Sequence, residues 1–95
     1  MTKEARIMTL HPDGRQGVNI LERRYDQMKT FIIQQLKAKP EMSFAELTNI
    51  AKQELEDKFD GKIGWYVVTV KLDLEARQII ERIPNRTPQY VRLAV

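Results

Sequence analysis

Apolar residues recur at helical spacing over Leu21–Ala38, where Tyr25, Met28, Ile32 and Leu36 form one stripe. This is the pattern of a helix that buries one face. Phe31 and Ile33 sit beside the stripe and widen it, and Pro40, which has no amide hydrogen to donate, stops the helix. Asn19, with Glu22 three residues later, reads as an Asn-type capping box at the start. A second helix is predicted over Ser43–Phe59. Ser43 and Glu46 form the S-x-x-E start signal, and Phe44, Leu47, Ile50, Ala51, Leu55 and Phe59 face inward. Removing the Ser43 cap is expected to cost ~1 kcal/mol. Asp60-Gly61 closes the helix.

The next run, from Lys62, fits two periods. Tyr66, Val68, Val70, Leu72 and Leu74 alternate with Val67, Thr69, Lys71 and Asp73, which by period two alone is a strand. Trp65, Val68, Leu72, Ala76 and Ile79 also share one helical face. The helix formers of Leu72–Gln78 decide for a helix, with Trp65, Val68, Leu72 and Ala76 inward and Tyr66, Thr69, Asp73 and Arg77 outward. Ile79–Ile83 and Gln89–Val95 then read as strands around a Pro84–Pro88 turn, with Val91, Leu93 and Val95 on one side and Tyr90 and Arg92 on the other. Two strands alone are marginal, and the extended run Ile7–Leu10 is a candidate third partner. His11–Gly17 is loop.

The fold class expected is therefore α+β: three helices plus a C-terminal β-hairpin, in the order helix, turn, helix and hairpin of a winged helix-turn-helix, with a short N-terminal strand as an option. One domain covers residues 1–95, with 1–18 as an N-terminal arm and loop. The 95 residues, 42% hydrophobic and 31% charged, are ordinary for a globular chain and argue against disorder. There is no cysteine, hence no disulfide, thiolate nucleophile or Cys-type zinc site. MTKEARIMTL has no long apolar run, so no signal peptide is expected, no segment has the length to span a bilayer, and the expected location is cytoplasmic.

The net charge of +3 is unevenly spread. Residues 1–40 hold eight Lys/Arg against four Asp/Glu, residues 41–60 two against six, residues 61–81 three against three, and residues 82–95 three Arg and no acid. Positive charge thus gathers at the two ends, which is compatible with a nucleic-acid partner.

The segment TVKLDLEARQIIER is similar to the recognition helix and start of the wing in winged-helix transcriptional regulators, through Thr69-Val70, Leu72, Leu74-Glu75, Gln78-Ile79-Ile80 and Arg82. It departs at Gln78, where those proteins place a glycine in the left-handed conformation that ends the helix; keeping that conformation with Gln is expected to cost ~1 kcal/mol. More narrowly, Thr9–Leu93 resembles a family of small bacterial proteins of unknown function, carried by TLHPDGRQGVNI, Tyr25-Asp26-x-Met28, FAELT and FDGKIGWYVVTVKLDLEAR. The resemblance implies a winged-helix fold and brings no activity, ligand or catalytic residue.

Two functions compete. In a double-stranded DNA-binding regulator, Lys62, Tyr66, Thr69 and Arg77 of the third helix would meet the major groove, while Arg82, Arg86 and Arg92 of the wing would contact phosphate or the minor groove. Arg15, Arg23 and Arg24 would add backbone contacts. Against this, Glu54, Glu56, Asp57 and Asp60 crowd the turn before that helix and would repel phosphate. The alternative is a protein-interaction or dimerisation module, with Trp65 and Tyr66 as anchors or the first helix pairing with a second copy through Phe31 and Ile33. An enzyme is not expected. His11 is the only histidine, and with Asp13 it makes two ligands where zinc needs three or four. No phosphate loop, cofactor or small-molecule substrate is indicated: Gly14, Gly17, Gly61 and Gly64 are scattered turn glycines.

Overall fold

The structure, a computed structural model, describes residues 4–94; Val95, expected to extend the last strand, and residues 1–3 of the arm lie outside them. The architecture is α+β, with three helices and two small antiparallel sheets.

The first sheet is an N-terminal hairpin of β1 (Arg6–Met8) and β2 (Asn19–Leu21), with Ile7 opposite Ile20. The N-terminal extended run is thus a strand, but its partner is Asn19–Leu21 and not the C-terminal hairpin. Pairing also overrides the cap expected at Asn19. Its side chain accepts from Arg6, and Leu21 stands at the N-cap of α1 (Glu22–Ala38) with no side-chain cap bond. The helix start is satisfied by backbone instead, because Glu22 N–H donates to the carbonyl of Ala5 at 2.9 Å. Tyr25, Met28, Phe31, Ile32 and Leu36 are buried as the stripe predicts, so Phe31 belongs to the core of this chain.

β3 (Glu41–Ser43) is a short strand that periodicity does not reveal, and it leads directly into α2 (Phe44–Glu54). Ser43 caps α2, its hydroxyl accepting from Glu46 N–H at 3.1 Å. The helix stops at Glu54 rather than Phe59, and Leu55 and Phe59 enter the core from the following turn. Extended to Phe59, the helix would carry Glu56 and Asp57 in its last turn, where the macrodipole disfavours acids.

α3 (Ile63–Ala76) is a helix, and it packs against both α1 and α2. Its orientation corrects the sequence expectation. The buried side is Tyr66, Val67, Val70, Lys71, Asp73 and Leu74, while Trp65 and Val68 are exposed. Its end is as expected: Gln78 has φ 62°. Gln78 N–H donates to Glu75 O at 3.0 Å and Ile79 N–H to Leu74 O at 2.9 Å, a Schellman arrangement. β4 (Ile80–Arg82) and β5 (Tyr90–Leu93) follow, and the second sheet has the order β3-β5-β4. Val91, opposite both Met42 and Arg82, lies at its centre. Met42, Ile80 and Val91 join the helix side chains in one core.

Candidate functional site on the outer face of the third helix

The rotation of α3 is held by a buried carboxylate. Asp73 has no exposed surface, and a charge in that position survives only if fully hydrogen-bonded. It accepts from the Tyr25 hydroxyl on α1, from Leu10 N–H at 2.8 Å, and from Arg77 Nε at 3.0 and 2.9 Å. Burial and the bond to Asp73 push the Tyr25 hydroxyl well above its ordinary pKa. The hydrogen bond to Asp73 likewise raises that of Arg77. On the other flank Lys71, also buried, pairs with Glu75 at 2.9 Å and donates to Gln89 beyond the Pro84–Pro88 turn. These contacts lock α3 to α1, to the N-terminal loop and to the sheet.

With that side fixed, the outer side of α3 presents Trp65, Val68, Thr69 and Leu72. Trp65 is 45% exposed and Val68 36%. The N-terminal hairpin runs beside them and adds Leu10 and Val18, which are also exposed. Between hairpin and helix lies a groove of about 160 Å³ lined by Leu10, His11, Val18, Trp65, Thr69 and Leu72, with Thr9, Gln16 and Gly17 completing its hairpin side. Gly17 is required here because a Cβ would fall 1.9 Å from the Thr9 carbonyl oxygen. Thr9 holds the two arms of the hairpin together, its N–H donating to Val18 O at 2.8 Å and its hydroxyl accepting from Val18 N–H at 2.9 Å. No Asp, Glu, Lys or Arg lines the groove.

The residues predicted to contact DNA are dispersed in role. Tyr66, expected outward, is buried; its hydroxyl accepts from Arg24 at 2.9 Å, and its ring packs edge-on against Phe59 and Trp65. Thr69 is half-buried in the groove. Arg77 is bound to Asp73, Arg86 to Glu41, and Arg92 to Glu81. Arg86 also lies 3.8 Å over the Tyr90 ring. Lys62 and Arg82 are exposed and, among the described residues, make no ion pair within the 4 Å limit of a salt bridge. Arg23 and Arg24 converge on Asp60, at 3.1 and 3.0 Å. Their hydrogen bonds hold its carboxyl well below the ordinary range. The acidic turn is therefore partly neutralised by the same arginines that were expected to meet phosphate.

Sequence reasoning named Trp65 as an anchor only in the protein-interaction alternative and placed Val68 and Leu72 inward, so it missed the exposed stripe as a whole. Its signal was present, because α3 is apolar on two sides, Val67, Val70 and Leu74 on one and Trp65, Val68 and Leu72 on the other, more than a helix with one buried face requires. His11 sits in a turn, with Asp13 N–H donating to its Nδ1 at 3.1 Å. Among the described residues there is no group of three or more His, Cys, Asp or Glu placed to hold a metal, and no helix is long and apolar enough to cross a membrane.

Residues 6–91 match a protein family whose members have no assigned function. The chain belongs to DUF6958. The match runs from β1 into β5, so the hairpin that builds the groove is part of the DUF6958 domain itself. No curated protein and no solved structure matches the chain.

Proposed function

We propose that this DUF6958 protein is a winged-helix module whose third helix makes protein contacts through an apolar outer face. The order α1-β3-α2-α3-β4-β5 and the sheet order β3-β5-β4 support the winged-helix reading, with β4–β5 as the wing. The observation that carries the function is the exposure of Trp65 beside Val68 and Leu72 on the side of α3 that a DNA-binding helix would turn to the major groove. Base and phosphate recognition needs free donors and unpaired cations there. An indole between aliphatic side chains instead suits an interface anchor.

A second reading, contact with double-stranded DNA, draws on exposed Lys62 and Arg82. It is weakened because Arg77, Arg86 and Arg92 would have to leave Asp73, Glu41 and Glu81 to meet phosphate. Titration with random-sequence duplex DNA at two salt concentrations separates the readings. The protein-contact reading expects no salt-sensitive binding in the micromolar range. Micromolar or tighter binding that collapses as salt rises and is lost in Lys62→Ala/Arg82→Ala would return α3 to DNA.

A further inference from the structure

We infer that Asp13 is a site of spontaneous modification, where the backbone rearranges through a cyclic imide to isoaspartate, while the fold protects the matching pair at Asp60. The inference is independent of what α3 contacts. The chain has two Asp-Gly pairs, Asp13-Gly14 and Asp60-Gly61. A glycine after aspartate leaves the following nitrogen without a Cβ to shield it. That nitrogen attacks the side-chain carboxyl carbon. A C–N bond forms, the amide hydrogen leaves with the carboxyl hydroxyl as water, and a five-membered succinimide closes. Water then opens the ring. Entry at the side-chain carbonyl restores aspartate. Entry at the main-chain carbonyl leaves the chain running through the side-chain carbon, with a free α-carboxylate. One water is lost and one gained, and no oxidant or cofactor takes part.

The structure sets the two pairs apart. Residues 12–16 are all exposed, and the Asp13 side chain is 69% exposed. His11 Nδ1 lies 4.0 Å from the Asp13 carboxylate, but in the tautomer that accepts from Asp13 N–H it has no hydrogen to donate there. Gly14 has φ 78°, and a Cβ built on it would meet nothing within 4 Å. Its N–H donates to His11 O at 3.0 Å, an exposed bond that water readily replaces. Asp60 differs in each respect. The reacting form is the protonated acid, because an ionised carboxylate has no hydroxyl to release. Arg23 and Arg24, at 3.1 and 3.0 Å, hold Asp60 away from that form. Gly61 is packed, since a Cβ there would fall 2.6 Å from the Tyr66 ring and 3.0 Å from that of Phe59. Closure at Asp60 therefore needs the clamp broken and the glycine drawn off two aromatic rings. Closure at Asp13 needs one exposed hydrogen bond to open. The product lengthens the backbone by one carbon inside the turn that the Gly14–His11 bond closes, next to the imidazole that lines the groove.

The test is prolonged incubation of the full chain at physiological temperature in oxygen-18 water, followed by tryptic digestion in ordinary water and mass spectrometry. The two pairs fall in separate peptides, residues 7–15 and 59–62. In the folded protein, residues 7–15 are expected to give a second chromatographic peak of the same sequence carrying one oxygen-18. Residues 59–62 are expected to convert more slowly, on the order of tenfold. In urea, which removes both the clamp and the packing, the two rates should converge. Asp13→Glu, whose imide ring would have six members, is expected to abolish the new peak. Equal conversion of the two peptides in the folded chain overturns the inference, as does a folded chain whose residues 7–15 stay unchanged. A gap that persists in urea places the selection in the neighbouring sequence and not in the fold, and overturns it as well. A peak that survives Asp13→Glu belongs to another residue and has the same consequence.

Discussion

Tyr25 on α1 donates its hydroxyl hydrogen to Asp73 on α3, a carboxylate with no exposed surface. The bond ties two helices together at the point where the N-terminal loop also attaches through Leu10. Loss of one donor leaves a buried charge short of a partner, which costs more than the bond itself contributes.

Tyr25→Phe is therefore expected to destabilise the protein by about 1.5–3 kcal/mol in urea denaturation. The folded state raises the tyrosine pKa above its ordinary value of 10. Folding thus favours the protonated hydroxyl. Its contribution is complete below about pH 10 and declines as pH rises from there towards the folded pKa. The wild-type protein should lose stability over that alkaline range, and the variant should lack this component.

Asp60 behaves in the opposite sense. Arg23 and Arg24 lower its pKa below the ordinary 3.8, so the contribution is present above that value and is lost as pH falls through the folded pKa. Asp60→Asn should be less stable than wild type at neutral pH, with the gap closing in acid. A gap that stays constant down to strongly acidic solution would disprove the clamp. High salt should narrow it at neutral pH, because Arg23 and Asp60 are exposed and Arg24 is only half-buried.

Gly17→Ala should distort the N-terminal hairpin, since the new methyl would lie 1.9 Å from Thr9 O. A penalty of about 1–3 kcal/mol is expected. It should appear first as faster amide exchange at Thr9 and Val18, with the Ser43-capped end of α2 unaffected.

Gln78→Gly should stabilise the protein by roughly 0.5–1 kcal/mol, because a left-handed residue with a Cβ costs more than the added freedom of glycine in the unfolded chain. Thermal denaturation reads this directly. A neutral or lower midpoint would show that the Gln78 side chain supports the helix end in some other way.

Much of the fold is legible in the residues. The Tyr25–Leu36 stripe, the Ser43–Glu46 start, the Pro84–Pro88 turn and the left-handed Gln78 are local signals, and local physics decides them. The rotation of α3 is not local. Its two apolar stripes are nearly equivalent in the sequence, and the choice between them is made by Asp73 and Lys71, charged residues that ordinarily read as exposed. Arg77 and Glu75, one turn along the helix, pair with them, but their burial also needs Tyr25, Leu10 and Gln89, which are distant along the chain. The candidate site followed that error, because reversing the helix exchanged the anchor for the core. β3 was hidden for another reason: three residues are too few to show alternation, and its pairing depends on β5 far downstream.

The Leu10–Asp73 hydrogen bond also bears on the order in which the chain assembles. Its partners are 63 residues apart, so it closes only after α1 and α3 have met and positioned the carboxylate. The N-terminal arm is then a late arrival during folding and an early departure during partial opening. Each such opening would uncover Asp73 and dismantle the groove at once, so the lifetime of any complex on this face is bounded by how long the arm stays docked.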